Sequence, residues 1–241
     1  MTKVRINRFI ASTGAISRRK ADELIGCGRV KINGITARLG DSVDSGCDQV
    51  TLDGNAVIRQ EILLVALYKP RYVLTTMNDP KGRPCINDLI PRRFQGVFPV
   101  GRLDFDAEGL LILTNDGDLA HALHHPSFQV PKVYRVKVSP RATEEGIHHM
   151  ETGVLLDGKK TLPAKVVLEH ASSEGSTLRI TLVQGLKNQI KRMAASVGLR
   201  VINLKRISVG PVSLKGMSPG QIRPLSPSEV NALHKILKKH K

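Results

Sequence analysis

The chain has 241 residues, with 37 Lys+Arg against 21 Asp+Glu and a formal net charge of +16. Its 41% hydrophobic content is enough for a packed core and excludes an intrinsically disordered chain, while 3% aromatics and no Trp argue against a single-strand binder built on rows of stacking rings. The longest apolar run, Ile62 to Tyr68, falls far short of the about 20 residues that a membrane span requires.

The N-terminus carries charge without a following apolar core, so no secretory signal is expected. Three cysteines, Cys27, Cys47 and Cys85, cannot pair evenly and lack metal-ligand spacing, which suits reduced thiols in the cytoplasm. The positive charge sits at the two ends. Residues 1–20 hold Lys3, Arg5, Arg8, Arg18, Arg19 and Lys20 with no acid, and residues 187–241 hold twelve Lys+Arg against Glu229 alone. That distribution fits two surfaces facing a polyanion, bound through phosphate neutralisation. The terminal Lys235, Lys238, Lys239 and Lys241 suit a solvated tail.

Taken in chain order, Ile6 to Thr13 is a short helix candidate ending at Gly14. Ser17 is a good N-cap for a helix in which Ala21, Leu24 and Ile25 recur on one face, stopping near Gly26 and Gly28. Val30 and Ile32 alternate with Arg29, Lys31 and Asn33 in a half-buried strand that ends in the Asn33-Gly34 turn. Residues 55–62 read as a linker.

From Leu63 the pattern changes to longer strands. Leu63 to Leu67 is a buried strand, Asp116-Gly117 marks a turn before a short helix over 119–123 that halts at Pro126, and Lys132 to Val138 alternates. Thr177 to Val183 alternates again. Residues 187–197 are predicted as a helix with Ile190, Met193, Ala194 and Val197 on one face, stopped by Gly198. That helix would set Lys187 and Lys191 on one stripe. Ser226 to Glu229 forms a capping box with Pro at the first helical position, followed by Val230, Leu233 and Leu237. The pattern predicts an α+β chain: a small domain over 1–60 and a larger one over 62–241 on a mostly antiparallel sheet.

The stretch richest in chemistry is Pro99-Val-Gly-Arg-Leu-Asp104-Phe-Asp106-Ala-Glu108-Gly, followed by an apolar strand. By spacing alone, Asp104, Asp106 and Glu108 suit hard-cation ligands in a nuclease, or one nucleophile with two incidental neighbours, or a solvated acidic turn. His121 and His125 have metal spacing on a helix, but no carboxylate or cysteine accompanies them. They and His124 therefore read as surface or RNA-contacting histidines.

Gly-Arg-Leu-Asp104 with Glu-Gly-Leu-Leu and Leu-Thr-Asn-Asp-Gly117 resembles the catalytic motif of RNA pseudouridine synthases. It is closest to the bacterial family that modifies ribosomal RNA, with its small-subunit and large-subunit members. The segment from Arg5 through Ser17-Arg-Arg-Lys-Ala to Gly28-Arg-Val-Lys-Ile-Asn-Gly34 resembles a ribosomal protein S4-like RNA-binding domain. Lys132-Val-Tyr134 resembles the family's second motif, Gln184-Gly-Leu-Lys-Asn-Gln-Ile-Lys191-Arg192-Met its third, and Gly210-Pro to Pro224-Leu its final strand segment.

The resemblance implies that Asp104 attacks the uridine, that Tyr134 packs under the target base, and that Lys191 pairs with the aspartate where many relatives have Arg. It implies RNA contacts from Arg5, Arg8, Arg18, Arg19, Lys20, Arg29, Lys31 and Asn33 in the small domain. Arg102, Lys187 and Arg192 join them in the large one, Arg102 filling the space that a flipped nucleotide leaves. Lys69-Pro-Arg-Tyr72 departs from the family's usual Lys-Pro-x-Gly. The isomerisation is redox-neutral, so no cofactor and no metal is expected. The partner expected is ribosomal RNA or a pre-ribosomal particle, with the large subunit favoured, and the protein is expected to be a cytoplasmic monomer without membrane contact. A catalytically silent ribosome-assembly factor on the same fold is the alternative.

Overall fold

The computed structural model describes residues 3–14, 16–58 and 61–238. The chain divides into two compact units: one gathers residues 1–63 with 91–98 and 114–119, and the other holds the remainder.

In the first unit, helices Ile6–Ala11 and Arg18–Gly26 pack with short strands around a core of Ile6, Phe9, Ile10, Ala21, Leu24, Ile25, Val30, Val43 and Val50. Ser17 caps the second helix by accepting the Lys20 amide at 3.2 Å. Strand Val30–Ile32 pairs antiparallel with Ile35–Thr36 and with Val50–Leu52. Asn33 and Gly34 turn between the first two with φ of 51° and 82°, a geometry that asparagine and glycine adopt most cheaply. The predicted linker over 55–62 is not uniform. Asn55–Ala56 is a strand paired with Val50–Leu52, because the Asp53-Gly54 turn folds the chain back before the linker starts. Arg59 and Gln60 lie outside the described residues.

The second unit is built on a mixed, mostly antiparallel sheet. Along its main path run Lys165–Ala171, Ser176–Leu182, Lys132–Ser139, Arg200–Val209, Glu108–Thr114, Leu64–Lys69 and Ile222–Pro224. The parallel pairing is Lys205↔Glu108 and Arg206↔Gly109. A Cβ on Gly109 would lie 2.3 Å from the Arg206 carbonyl oxygen, so glycine alone lets these two backbones approach. Leu64–Lys69 is buried throughout and Lys132–Ser139 buries alternate residues, as expected for a central strand and for one with a solvated face.

Two helix boundaries differ from the sequence reading. Helix Gly117–His124 starts earlier than the 119–123 expected, because the Asp116 carboxylate accepts the amides of Asp118 and Leu119. The helix expected over 187–197 spans Gln189–Ser196. Asn188, at φ 51°, takes the left-handed conformation and delays its start, so Lys187 belongs to the preceding loop and shares no helical stripe with Lys191. The last helix, Pro227–Lys238, carries the expected capping box: Ser226 and Glu229 exchange side-chain to backbone bonds of 2.8 and 3.2 Å. The side chains of Leu237 and Lys238, and residues Lys239 and Lys241, lie outside the described residues. Among the described residues no helix is long and apolar enough to cross a membrane.

Candidate active site

Asp104 sits in the turn that precedes strand Glu108–Thr114. Every carbonyl from Leu103 to Ala107 has a donor. Thr75 Oγ1 donates to Leu103 O at 2.7 Å, the Ala107 amide to Asp104 O at 3.1 Å, and the Tyr72 amide to Phe105 O at 2.6 Å. Arg71 Nε donates to Asp106 O at 3.1 Å and Lys69 Nζ to Ala107 O at 2.9 Å. The segment 69–75 thus fixes the turn carbonyl by carbonyl, which sets the direction of the carboxylate without using its oxygens. Lys69 itself is fully buried, and desolvation lowers its pKa to about 8, against the opposing pull of Asp104 and Asp106.

The carboxylate of Asp104 is half-exposed and faces two donors from the far wall. Asn188, with its amide nitrogen turned toward the acid, reaches the two oxygens at 2.9 and 3.1 Å. Lys191 Nζ stands 3.7 Å away and lies nearer to Asp106, at 2.6 Å. That hydrogen bond is the main cause holding the Asp106 carboxyl below its ordinary pKa. Lys191 therefore bridges two acids rather than gripping Asp104 alone. Glu108 points elsewhere: it accepts from Tyr68 Oη at 2.7 Å and Asn203 Nδ2 at 3.1 Å. The three acids do not converge, and among the described residues no group of three or more His, Cys, Asp or Glu is placed to hold a metal ion.

Asp104 opens onto a pocket of about 700 Å³. Arg102, Leu103 and Ala107 line one side, Gln184 to Ile190 the other, and the sheet supplies the floor with Lys132, Tyr134, Leu182, Leu204, Arg206 and Val209. Lys132 and Tyr134 share a face because strand side chains alternate, and Tyr134 lies directly opposite Arg206 in the antiparallel register. Sequence reasoning singled out Asp104, Tyr134, Lys187, Lys191 and Arg102, and all but Lys191 line this one pocket. Lys191 reaches Asp104 from the adjoining helix turn.

The pocket also holds cations that the sequence reading gave no role. Arg206 is 3% exposed; its Nε donates to Leu110 O at 2.7 Å, while its Nη2 is buried without a partner. Burial, and secondarily the Arg206 charge, lowers the Lys132 pKa to about 8. His124 stands at the rim, its pKa lowered by partial desolvation and then by Lys132 and Arg206. Gln184 Nε2 is a second buried, unpartnered donor on the wall. Two buried donors with no acceptor, beside a buried lysine, call for a ligand rich in acceptors. The signal for Lys132 lay in its spacing of two from Tyr134 on an alternating strand; Arg206 carried no such signal, because its strand shows no clean alternation.

The remaining expected contacts divide. Arg18, Arg19 and Lys31 are exposed. Lys20 pairs with Glu23 at 2.7 Å, Arg29 with Asp53 through two bonds and Arg192 with Asp157 at 2.7 Å. Arg8 pairs with Asp118, and Arg5 donates to the Gly40 carbonyl. Asn33 uses its side chain internally, donating to Asp48 at 2.9 Å and accepting the Gln49 amide at 2.8 Å. His121 and His125 stack on one another with ring centroids 5.1 Å apart.

Comparison with known proteins fits this geometry. The family model described as RNA pseudouridylate synthase matches residues 63–196, and the S4 domain model matches residues 4–50. The chain is 39% identical over 235 residues to "Ribosomal large subunit pseudouridine synthase B" of Bacillus subtilis, covering 96% of each. It is 38% identical to "Dual-specificity RNA pseudouridine synthase RluF" of Escherichia coli, covering 98% of this chain and 80% of that one. A solved structure titled "Crystal structure of pseudouridylate synthase" superposes with a TM-score of 0.69 at 29% identity, over 95% of this chain and 99% of the other. A turn fixed at every carbonyl, an aspartate facing a cation-floored pocket and an S4 module ahead of them thus lie in a chain that belongs to the RNA pseudouridylate synthase family and is an isomerase of uridine in RNA.

Proposed function

We propose that this protein converts uridine to pseudouridine at specific positions of ribosomal RNA, in the large subunit, with Asp104 as nucleophile. The observation that carries the reading is the Asp104 carboxylate, held between Asn188 and Lys191 and opening onto a pocket floored by Tyr134, Lys132 and Arg206. The name of the Bacillus relative favours the large subunit. The S4-like domain is taken as about residues 1–60 and the catalytic domain as 62–241, acting as a cytoplasmic monomer.

The uridine must leave its stack to reach the pocket, at a cost of a few kcal/mol. Exposed Arg18, Arg19, Lys31, Arg102 and Lys187 supply phosphate contacts that offset this cost. With the base over Tyr134, Asp104 attacks the nucleoside and the glycosidic bond breaks, its electron pair remaining on the uracil. The uracil turns, and its carbon bonds to the ribose with the ring's own electrons as the bond to Asp104 breaks and the carboxylate takes back its electron pair. The proton on that carbon leaves, and the freed nitrogen takes one up. Atoms and electrons balance without an oxidant, a reductant or an energy source, so the reaction requires no cofactor. Arg206 Nη2 and Lys132 face the uracil carbonyls and hold the charge that the base acquires.

The test is tritium release from ribosomal RNA carrying uridine labelled at the proton-losing carbon. The wild-type protein releases tritium and Asp104→Asn does not, while both bind the RNA. Equal release from both would remove the nucleophile; RNA binding by the wild type without any release would leave a silent assembly factor.

A further inference from the structure

The chain holds three tyrosines, five phenylalanines and no tryptophan. Six of these rings are buried or half-buried; Tyr72 and Phe105 are 56% and 45% exposed. These two meet edge to face with centroids 5.6 Å apart, and the Arg71 guanidinium lies 5.0 Å from the centre of the Tyr72 ring. Phe105 follows Asp104 directly in the chain.

The backbone of Tyr72 is unusual as well. Its φ is +63°, a left-handed conformation that costs a bulky residue of order 1–3 kcal/mol. Among the described residues the other non-glycine positions at positive φ are Asn33, Asp53, Gln129, Asp157 and Asn188, all polar amides or acids. The amide of Tyr72 must donate to Phe105 O to hold the Asp104 turn, and a glycine would make the same bond without strain. The tyrosine side chain therefore serves something other than that bond. Core packing does not explain it, because more than half of the residue faces solvent.

We infer that Tyr72 and Phe105 form a stacking platform for an unpaired base of the substrate RNA, next to the uridine that enters the pocket. This rests on the reading of Asp104 as the centre of a uridine site. An RNA whose target uridine lies against Asp104 brings its neighbouring nucleotide over the residue beside it. An exposed aromatic flanked by a guanidinium offers that base both π-stacking and cation–π attraction, in a manner tolerant of sequence. A single aromatic pair also fits a chain too poor in rings for a continuous stacking groove.

The test measures affinity of the intact protein for a single-stranded oligouridylate of about 12 nucleotides, within the site sizes known for such surfaces. Tyr72→Leu keeps bulk without a π face and is expected to weaken binding about tenfold, with the salt dependence unchanged. Tyr72→Phe keeps wild-type affinity. Unchanged affinity in Tyr72→Leu, or a loss that comes with a shallower salt dependence and so reports only a displaced Arg71, would overturn the platform. Photocrosslinking of iodouridine-substituted oligouridylate to the wild-type protein needs no variant: crosslinks are expected on the peptides that hold Tyr72 or Phe105, and their absence from both counts against it. Tritium release by the wild type is scored separately, so failure of the enzymatic reading is distinct from failure of the platform.

Discussion

Arg206 offers the sharpest quantitative test of the pocket. Its Nη2 is buried and unpartnered in the free protein, so the cost of desolvating that donor is already present before the ligand arrives. A uracil carbonyl that meets it gains a charge-assisted hydrogen bond worth about 1.5–3 kcal/mol. The gain grows as the glycosidic bond breaks and the base turns anionic, which places it in the rate constant rather than in binding. Loss of one preorganised donor at such a site costs about 10²–10³-fold in kcat. Arg206→Gln removes the charge at a position opposite Tyr134, and Arg206→Lys keeps the charge without the planar fork. The assay is single-turnover conversion of an RNA fragment in which the target uridine carries sulfur in place of either carbonyl oxygen, measured beside the native fragment. Wild-type protein is expected to lose rate on one thio-substituted fragment, and Arg206→Gln to be slow on all three without that difference. A wild type indifferent to both thio substitutions, or an Arg206→Gln variant impaired in KM alone, would refute the reasoning. The melting temperature of each variant controls for the strand junction, since the Arg206 backbone lies against Gly109 and its Nε holds Leu110 O.

Other outcomes follow from the same geometry. Lys191→Met frees both Asp104 and Asp106 from their shared cation, and tritium release should fall about 100-fold, the scale expected when a reacting group moves by about 1 Å; Lys191→Arg should keep most of the rate. Lys69 has a folded pKa of about 8 against an ordinary 10.5, so between those values the unfolded chain binds more protons and stability rises with pH. The wild type should therefore gain stability relative to Lys69→Met across that window, by at most about 1.4 kcal/mol per pH unit as read from urea midpoints; parallel curves would remove the effect. Replacing Arg18, Arg19 and Lys20 together with Ala should lower the salt slope of RNA binding by about 2 rather than 3, because Lys20 is already paired with Glu23 while Arg18 and Arg19 have no carboxylate partner among the described residues.

Much of the site was legible because its residues lie in short contiguous strings. Gly-Arg-Leu-Asp104 and Lys132-Val-Tyr134 each singled out a pocket residue through resemblance to family motifs, where spacing alone left a solvated acidic turn equally open, and the α+β class followed from long strands interrupted by short helices. What the sequence concealed depends on contacts between distant segments. Arg206 is a charged residue in a long strand and looks like any solvent-facing cation; its burial comes from the parallel pairing with Glu108–Thr114, nearly one hundred residues earlier. Lys69 likewise ends an apolar strand, where a lysine ordinarily marks the return to solvent, yet its amine turns inward to Pro70 O and Ala107 O. The misplaced helix start has a smaller cause: Asn188 tolerates the left-handed conformation, and no apolar period records that choice.

These concealed residues share one physical role. On the proposed mechanism, rate acceleration comes from groups fixed before the substrate arrives, since donors that must reorient at the moment of reaction give back much of what they contribute. Fixing a carboxylate in a half-exposed turn takes donors for every backbone carbonyl around it, and segment 69–75 provides most of them, at the cost of a buried lysine and a strained tyrosine. Fixing the floor requires cations held away from water, of which Arg206 and Lys132 are the instances. Both costs are borne by folding, and the extensive core of the central strands is what the chain sets against them. Substitutions that relieve either cost, Lys69→Met at neutral pH among them, should therefore improve folding less than they impair the placement of Asp104, and a variant gaining in both stability and tritium release would contradict that account.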